Sequence, residues 1–525
     1  MAENRALHLL LNNKQVFNKY FTDASILGDD QKQSGMKRAM CRLRKDLVAY
    51  VQGLHAERLD PAIRSRLFNM MVKNDGLVDF YLIDMSCSAF IANHDADPRF
   101  WFKGQAIRYD NTILCNNCIA AIPGSPDKFV MCFRFMLFKL PFYEDGNQRM
   151  IGVCHGWDRW FNNNKSNNWM KLLSGKDSDL LVVDTTGVCS ITMERGKMLQ
   201  VTDVQFDVFP PDGERQDARI FMDGPTSARM LYNTWGRRAD GDYGKCVVPG
   251  GFKKDGQPTR MCSARLTLQA NGKWVASQID TDVCEIGSNF IEKNWQILPF
   301  HGQEVWAWGF DHDHFIAYDG SSCRKNDCDG LIAVKTPAPF IHSLTEFYDN
   351  TVHVSLSTPP VSFGDELLLM GHAKVEYRKL MQKPDFFDKY SVMASFFDAA
   401  VSHLPATLKT PLILHDKFIY FMFFFTLDKK TLTLRRMSSS FIPTTENLKR
   451  NESHLPWLLV FPTGLAMAAD YVYVTYGEGD MKMKMGMFAI DVVDKHMLKN
   501  VDSLTPESYE FRFYTASEKW WPAAT

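Results

Sequence analysis

The chain has 525 residues, about three and a half times a typical domain, yet all-β propellers and barrels run long as single domains. Its 60 Lys and Arg against 61 Asp and Glu leave a formal net charge of -1, so composition supplies no general pull towards nucleic acid or an anionic membrane. Charged residues at 23% and hydrophobic ones at 45% exclude a disordered chain, while 38 Phe, 17 Tyr and 12 Trp suit a large β core and equally a sugar-binding cleft.

At the start, only Ala6 to Leu11 is apolar, with no small-residue cleavage site after it. No secretory signal is read there, and a cytoplasmic protein is expected. Residues 1 to about 75 read as helix, because Leu47, Val48, Val51 and Leu54 recur at three and four. Lys37, Arg38, Arg42, Arg44 and Lys45 cluster on it. They could touch phosphate or a partner, or form a solvated helix face; a nucleic-acid partner would bind with steep salt dependence and is not expected. The expected layout is a mainly helical region over 1–95, a β domain over 96–505 and a tail over 506–525.

The 12 cysteines are too sparse for a disulfide scaffold. Cys115-Asn-Asn-Cys118 has CxxC spacing but no second CxxC, and Cys323 and Cys328 lie far off with a different spacing, so structural thiols are expected and no metal. The sequons at Asn164 and Asn451 carry no meaning without secretion.

From about residue 100 the pattern is β. Turn signals precede apolar or aromatic runs: Ser125-Pro-Asp-Lys before Phe129–Phe133, Asp223-Gly before Arg229–Tyr232, and His301-Gly-Gln-Glu before Val305–Trp308. Further on come Gly364-Asp-Glu before Leu367–Met370, His415-Asp-Lys before Phe418–Met422, and Ala469-Asp before Tyr471–Tyr476. Each reads as a turn feeding an inner strand. The densest apolar stretch, Phe418–Leu427, is half the length of a membrane helix and reads as a buried strand, so no membrane span is expected. About five repeats of several short strands predict an all-β fold, a five-bladed β-propeller with long insertions. A β-helix lacks its short repeat here, and a sandwich pair would not need so many similar units. In a propeller, loops from every blade converge on one end of the central channel, so polar residues distant in sequence meet there.

Several polar groups sit at strand ends. Asp217 and Arg219, two apart on entry to a strand, are read as sharing a face, either as a general acid beside an anion-binding guanidinium or as a structural ion pair. Glu292-Lys293-Asn294-Trp295 could place Trp295 on a sugar and Lys293 on a phosphate, or be an ordinary loop. Ser357-Thr-Pro-Pro360, a strand, then Gly371-His372 puts a histidine at the far end of an apolar strand, where a structural histidine is the plainer reading. Asp311-His-Asp-His314 alternates its residues across faces, against a shared metal site. Phe461-Pro-Thr-Gly464 leads to Tyr476-Gly-Glu-Gly-Asp480, whose glycines permit a tight turn exposing Glu478 and Asp480 to sugar hydroxyls, or a plain surface turn.

In order, Asp-x-Arg, Glu-Lys-Asn-Trp, the Pro-Pro to Gly-His strand, and Phe-Pro-x-Gly with Tyr-Gly-x-x-Asp resemble the five-bladed propeller family of β-mannoside phosphorylases and related β-1,2-mannosyltransferases. The resemblance spans roughly residues 100 to 500. It implies that Asp217 donates a proton to the glycosidic oxygen, with Arg219 its neighbouring arginine. It places Lys293 and His372 near phosphate, Tyr476 and Asp480 in the closing motif, and Arg134 as an anion-binding arginine. Gln216 stands where the family has Glu, and Ala218 where it has Pro.

The expected activity is transfer of a hexosyl group, foremost mannosyl, between a phosphate-bearing donor (a sugar nucleotide or hexose 1-phosphate) and an acceptor glycan. Asp217 would be the acid/base, Arg134, Arg219, Lys293 and His372 would hold phosphate or donor, and Glu292, Asn294, Trp295, Tyr476, Glu478 and Asp480 would hold sugar. No cofactor is expected. A single main carboxylic acid with a cationic pocket speaks against simple hydrolysis, which needs two flanking carboxylates. A hydrolase on the same fold and a non-catalytic propeller binding carbohydrate or protein are the alternatives.

Overall fold

In the computed structural model the residues described are 80–85, 90–91, 100–102, 105–108, 112–138, 181–193, 199–209, 215–235, 259–282, 294–311, 314–319, 334–376, 379–380, 419–445, 460–478 and 482–520. The expected helices of residues 1 to 75, with their basic cluster, lie outside them, as do Cys323 and Cys328.

The described chain is dominated by β-strands. Strand β1 (Phe80–Met85) comes first, followed by a short hairpin of β2 (Trp101–Phe102) and β3 (Gln105–Ala106). Three four-stranded antiparallel sheets then form from strands consecutive in the chain. Sheet one holds β4 (Thr112–Ala121), β5 (Lys128–Phe138), β6 (Leu181–Met193) and β7 (Leu199–Gln205). Sheet two holds β8 (Gln216–Gly224), β9 (Ser227–Trp235), β10 (Thr259–Leu268) and β11 (Trp274–Asp282). Sheet three holds β12 (Gln296–Phe300), β13 (Gln303–Asp311), β14 (His314–Asp319) and β15 (Val334–Pro337).

The remaining strands join in one large sheet. One arm contains β16 (Val352–Leu356), β17 (Val361–Phe363), β18 (Glu366–Val375), β19 (Ile419–Asp428), β20 (Leu434–Met437) and β21 (Ser440–Thr445). The other contains β22 (Val460–Ala468), β23 (Tyr471–Glu478) and β24 (Lys482–Ala489). β25 (Lys499–Asn500) pairs with β20, and β26 (Phe511–Trp520) runs parallel to β21. β1 sits between the arms, antiparallel to β24 and parallel to β26. Its apolar side chains Phe80, Leu82, Ile83 and Met85 are buried, and the Phe80 ring stacks on Phe488 with centroids 4.6 Å apart.

The turn signals feed strands β5, β9, β13, β18, β19 and β23, and the apolar run after His415 is the buried strand β19, as expected. Three of these, β5, β9 and β23, are not the innermost strands. β4, β8 and β22 pack against one another across sheets, and β5, β9 and β23 are their outer neighbours. The two-residue turns before β9 and β23 mark hairpins that lead outward from β8 and β22, which themselves follow longer connections. The expected domain limits also shift. Strand β1 lies inside the region expected to be helical, and β26 lies inside the expected tail, because both bury apolar faces in the large sheet. Asp311, at the end of β13, pairs with His314, at the start of β14, so the two do not lie along one strand and strand alternation does not relate them. No described helix is long and apolar enough to cross a membrane.

Candidate active site at the meeting of the inner strands

Three inner strands lose their regular register where they meet. The β4–β5 ladder shifts between Cys115 and Cys118, β8–β9 between Gln216 and Arg219, and β22–β23 between Pro462 and Gly464. An extra residue in a strand bends it and re-aims its side chains. In β4 Asn116 and Asn117 together stand opposite the single Phe133 of β5. Asn116 has φ +49°, a left-handed conformation that Asn tolerates better than most residues. Asp217 (φ +54°) and Asn294 (φ +64°) share that conformation.

These three residues are linked. The Asn116 Nδ2 donates to Asp217 Oδ1 at 2.7 Å. Arg134, from β5, brings Nη1 to 3.9 Å from the same oxygen. Arg219 is almost wholly buried, and its guanidinium ties three parts of the molecule together. Nε donates to the Ser357 carbonyl at 2.7 Å, Nη1 to the Asp217 and Ala218 carbonyls at 2.9 and 3.2 Å, and Nη2 to Asn294 Oδ1 at 3.1 Å. It also lies 6.0 Å from the Phe461 ring centroid. Because β8 bulges between Asp217 and Arg219, their side chains do not follow simple alternation.

β4 approaches β22 and β23 closely because two glycines leave room. A Cβ on Gly464 would run into the backbone at Cys118 and Ile119, and one on Gly477 into the Asn116 side chain. Thr463 clasps the bulge, its hydroxyl donating to the Asn117 carbonyl. Gly477 therefore serves close packing rather than an exposing turn. Glu478, expected at the surface, is buried at the end of β23 with its Oε2 3.9 Å from Lys484 Nζ.

His372 stands on the other side of Arg219. Its Nδ1 is 2.8 Å from the Ser357 hydroxyl, and its ring packs 4.5 Å from Phe461 and 5.9 Å from Tyr420. Burial, reinforced by the charges of Lys374 and Arg219, pulls its pKa down to about 3, so the imidazole is neutral near neutral pH. It cannot hold phosphate as a cation in this arrangement.

Beneath Asp217 lies a pair of opposed thiols. Cys118 and Cys132 face each other across β4 and β5, both fully buried and unbridged. The Cys118 sulfur accepts the Ile220 N–H at 3.5 Å, and Cys132 donates to the Ala218 carbonyl at 3.6 Å. Sulfur atoms of sheet one thus satisfy backbone groups flanking Arg219 on β8. Burial works against a Cys118 thiolate, yet the Cys132 hydrogen bond and the Arg219 charge draw its pKa down; burial and Cys118 push Cys132 well up.

Of the residues expected from sequence, Arg134, Asp217, Arg219 and Asn294 come together, with His372 joined through Ser357. Tyr476 and Glu478 lie on β23 beside the bulge, both buried. Trp295 is 0% exposed, so its rings are packed in the core and offer no face to a sugar. Glu292, Lys293 and Asp480 lie outside the described residues. Sequence reasoning gave no role to Asn116, and quoted Ser357 and Phe461 only as parts of motifs. A signal existed for Asn116: two asparagines inside an apolar run are poor strand formers and mark a bulge.

No protein-family model and no curated protein matches the chain. Solved structures similar to it include a putative glycosidase from Bacteroides thetaiotaomicron, at 14% identity and TM-score 0.41 over 78% of this chain and 97% of that one. Another is the beta-1,2-mannobiose phosphorylase of Listeria innocua, solved with beta-1,2-mannobiose, at 11% identity and TM-score 0.39 over 80% and 99%. A third is a GDP-Man-dependent mannosyltransferase from Leishmania mexicana, at 11% identity and TM-score 0.37 over 75% and 91%. Solved members of the family that the motifs resemble are thus among the structures found. Identities this low leave the reaction to be argued from the site itself.

Proposed function

We propose that the chain is a five-bladed propeller whose funnel transfers a hexosyl group, foremost mannosyl, between a phosphate-bearing donor and an acceptor glycan. In this reading the propeller's five units are the three four-stranded meanders, the β16–β21 arm and the β22–β24 arm. In the last of these β1 serves as the outer strand of the β22–β24 arm. The observation that carries the functional reading is the linked trio Asn116, Asp217 and Asn294. Residues held in the left-handed conformation in β4, in β8 and just before β12, joined by hydrogen bonds directly or through Arg219, support a site where strain is retained for use.

In this reading Asp217 is the general acid/base. Arg134, and Lys293 by its place beside Asn294 in the chain, hold the phosphate group. Arg219 has most of its donors committed to protein acceptors, so it shapes the site; His372 supports it through Ser357 as a neutral partner. Glu292, Asn294 and Asp480 border the sugar, while Tyr476 and Glu478, both buried on β23, support the site from behind. One carboxylic acid beside a cation suits transfer to or from phosphate better than hydrolysis with two carboxylates.

The commitment of Arg219 and His372 to protein contacts also favours a second reading, a propeller that binds carbohydrate without turning it over. A donor screen separates the two. GDP-mannose, other sugar nucleotides and hexose 1-phosphates are offered with mixed acceptor sugars, and nucleotide or phosphate release is followed. Release from either donor class supports transfer and tells transferase from phosphorylase. Sugar binding without release from any donor supports the binding module and overturns the enzyme reading.

A further inference from the structure

Asp217 is supported from one side by a residue that the motif reading does not contain. Asn116 is 6% exposed, sits in the bulge of β4, and is held there by the absence of a side chain on Gly477. Its amide nitrogen is 2.7 Å from Asp217 Oδ1, and the Arg134 guanidinium approaches that same oxygen at 3.9 Å. An amide N–H and a guanidinium can only donate. With the amide donor and the guanidinium charge both beside Oδ1, a proton carried by the carboxyl is favoured on Oδ2.

We infer that Asn116 is a positioning residue that fixes the Asp217 carboxyl so that Oδ2 is the oxygen exchanging the proton. The inference rests on the reading of Asp217 as acid/base for its use, but the geometry stands independently of any substrate. The chemistry is a single proton transfer: the Oδ2–H bond breaks as the proton passes to the departing oxygen, and the carboxylate left behind keeps the Asn116 donor and the Arg134 charge beside Oδ1. A donor aimed at the carboxylate favours the charged form. Asn116 thereby also helps Asp217 to release its proton.

The cost of this arrangement is visible in the backbone. Asn116 adopts φ +49°, which a residue in a regular strand would not take. Asn is chosen there by two demands at once, tolerance of the left-handed conformation and a side-chain donor of this reach. Glycine meets the first demand and not the second, so Asn116→Gly removes the donor without straining the chain. Asp meets the first and replaces the donor by a like charge.

The test needs no substrate. Full-length protein is labelled with carbon-13 at the aspartate side-chain carboxyls, and the Asp217 signal is identified by its loss in Asp217→Asn. Its titration midpoint is then followed in wild type, Asn116→Gly and Asn116→Asp, with circular dichroism and thermal unfolding as controls for folding. The expected result is an upward midpoint shift of half a pH unit or more in Asn116→Gly, and a larger one in Asn116→Asp. Folded variants with the wild-type midpoint overturn the inference. If Asn116→Gly fails to fold, Asn116→Asp alone decides by the same criterion. Should both be unfolded, Gly477→Ala, which crowds Asn116 from outside the bulge, must move the midpoint or the inference falls. A shifted midpoint in a protein inert towards every sugar donor would uphold the positioning role and overturn only the enzymatic reading.

Discussion

His372 lies among groups that oppose its charge: a buried setting, Lys374 and Arg219. Its folded value of about 3 is below the ordinary 6.5, so the unfolded chain takes up the proton first. The stability this histidine confers is complete above about 6.5 and drains away as pH falls towards about 3. Between pH 6.5 and 5 the loss should reach about 2 kcal/mol. Urea unfolding at the two pH values checks this; His372→Asn should flatten the difference, and an unchanged slope would place the pH dependence elsewhere. At Asp217, replacement by Asn should lower turnover by about 10²–10⁴-fold, the usual contribution of a general acid, while calorimetry shows sugar binding within a few-fold of wild type. A fully active Asp217→Asn protein would remove this residue from the chemistry.

At the scale of strands, the site depends on bulges and on what lets them meet. Gly464→Ala drives a methyl group into the β4 backbone, so it should destabilise by about 1–3 kcal/mol, as overpacking does, measured by thermal unfolding. The thiol pair under β8 makes a second expectation. Cys118 and Cys132 are buried and should resist an aromatic disulfide reagent in the native state, reacting only on unfolding, with peptide mass mapping as the readout. Rapid native labelling at either position would contradict the packing described. This scale also shows what the sequence could and could not reveal. Strand existence was legible, since Tyr471–Tyr476 after Ala469-Asp and Phe418–Leu427 alternate or run apolar in the way that sheets require. Position within a sheet was not, because alternation reports a face and says nothing of which edge a strand occupies. For the same reason Trp295 looked like a stacking surface and Glu478 like an exposed carboxylate: burial is decided by strands from elsewhere in the chain. Motif order pointed to Asp217, and the resemblance to Arg134, which the structure brings within 3.9 Å of each other, but Asn116 sat between two cysteines that drew the chemical argument to sulfur.

Across the whole molecule, the large sheet is completed by a strand from the other end of the chain. Phe80 pairs with Phe488 and Tyr81 with Ser517, so β1 is gripped on both edges. A truncation that removes residues through Met85 uncovers the edges of β24 and β26 together. Exposed edges of this kind invite pairing with other chains. Such a protein is expected to aggregate or to lose its cooperative transition, as judged by light scattering during a thermal ramp; a soluble product with an unchanged transition would show β1 to be dispensable.

The gripped strand also bears on how the protein is made. β1 leaves the ribosome long before the strands that bracket it, at residues 482–489 and 511–520. Contacts of such separation form late and slowly. For most of translation Phe80, Leu82, Ile83 and Met85 have no native seat, which makes this hexapeptide a natural segment for a chaperone to hold. Only once β26 has emerged can the sheet be completed, so a nascent chain arrested before that point carries an open sheet.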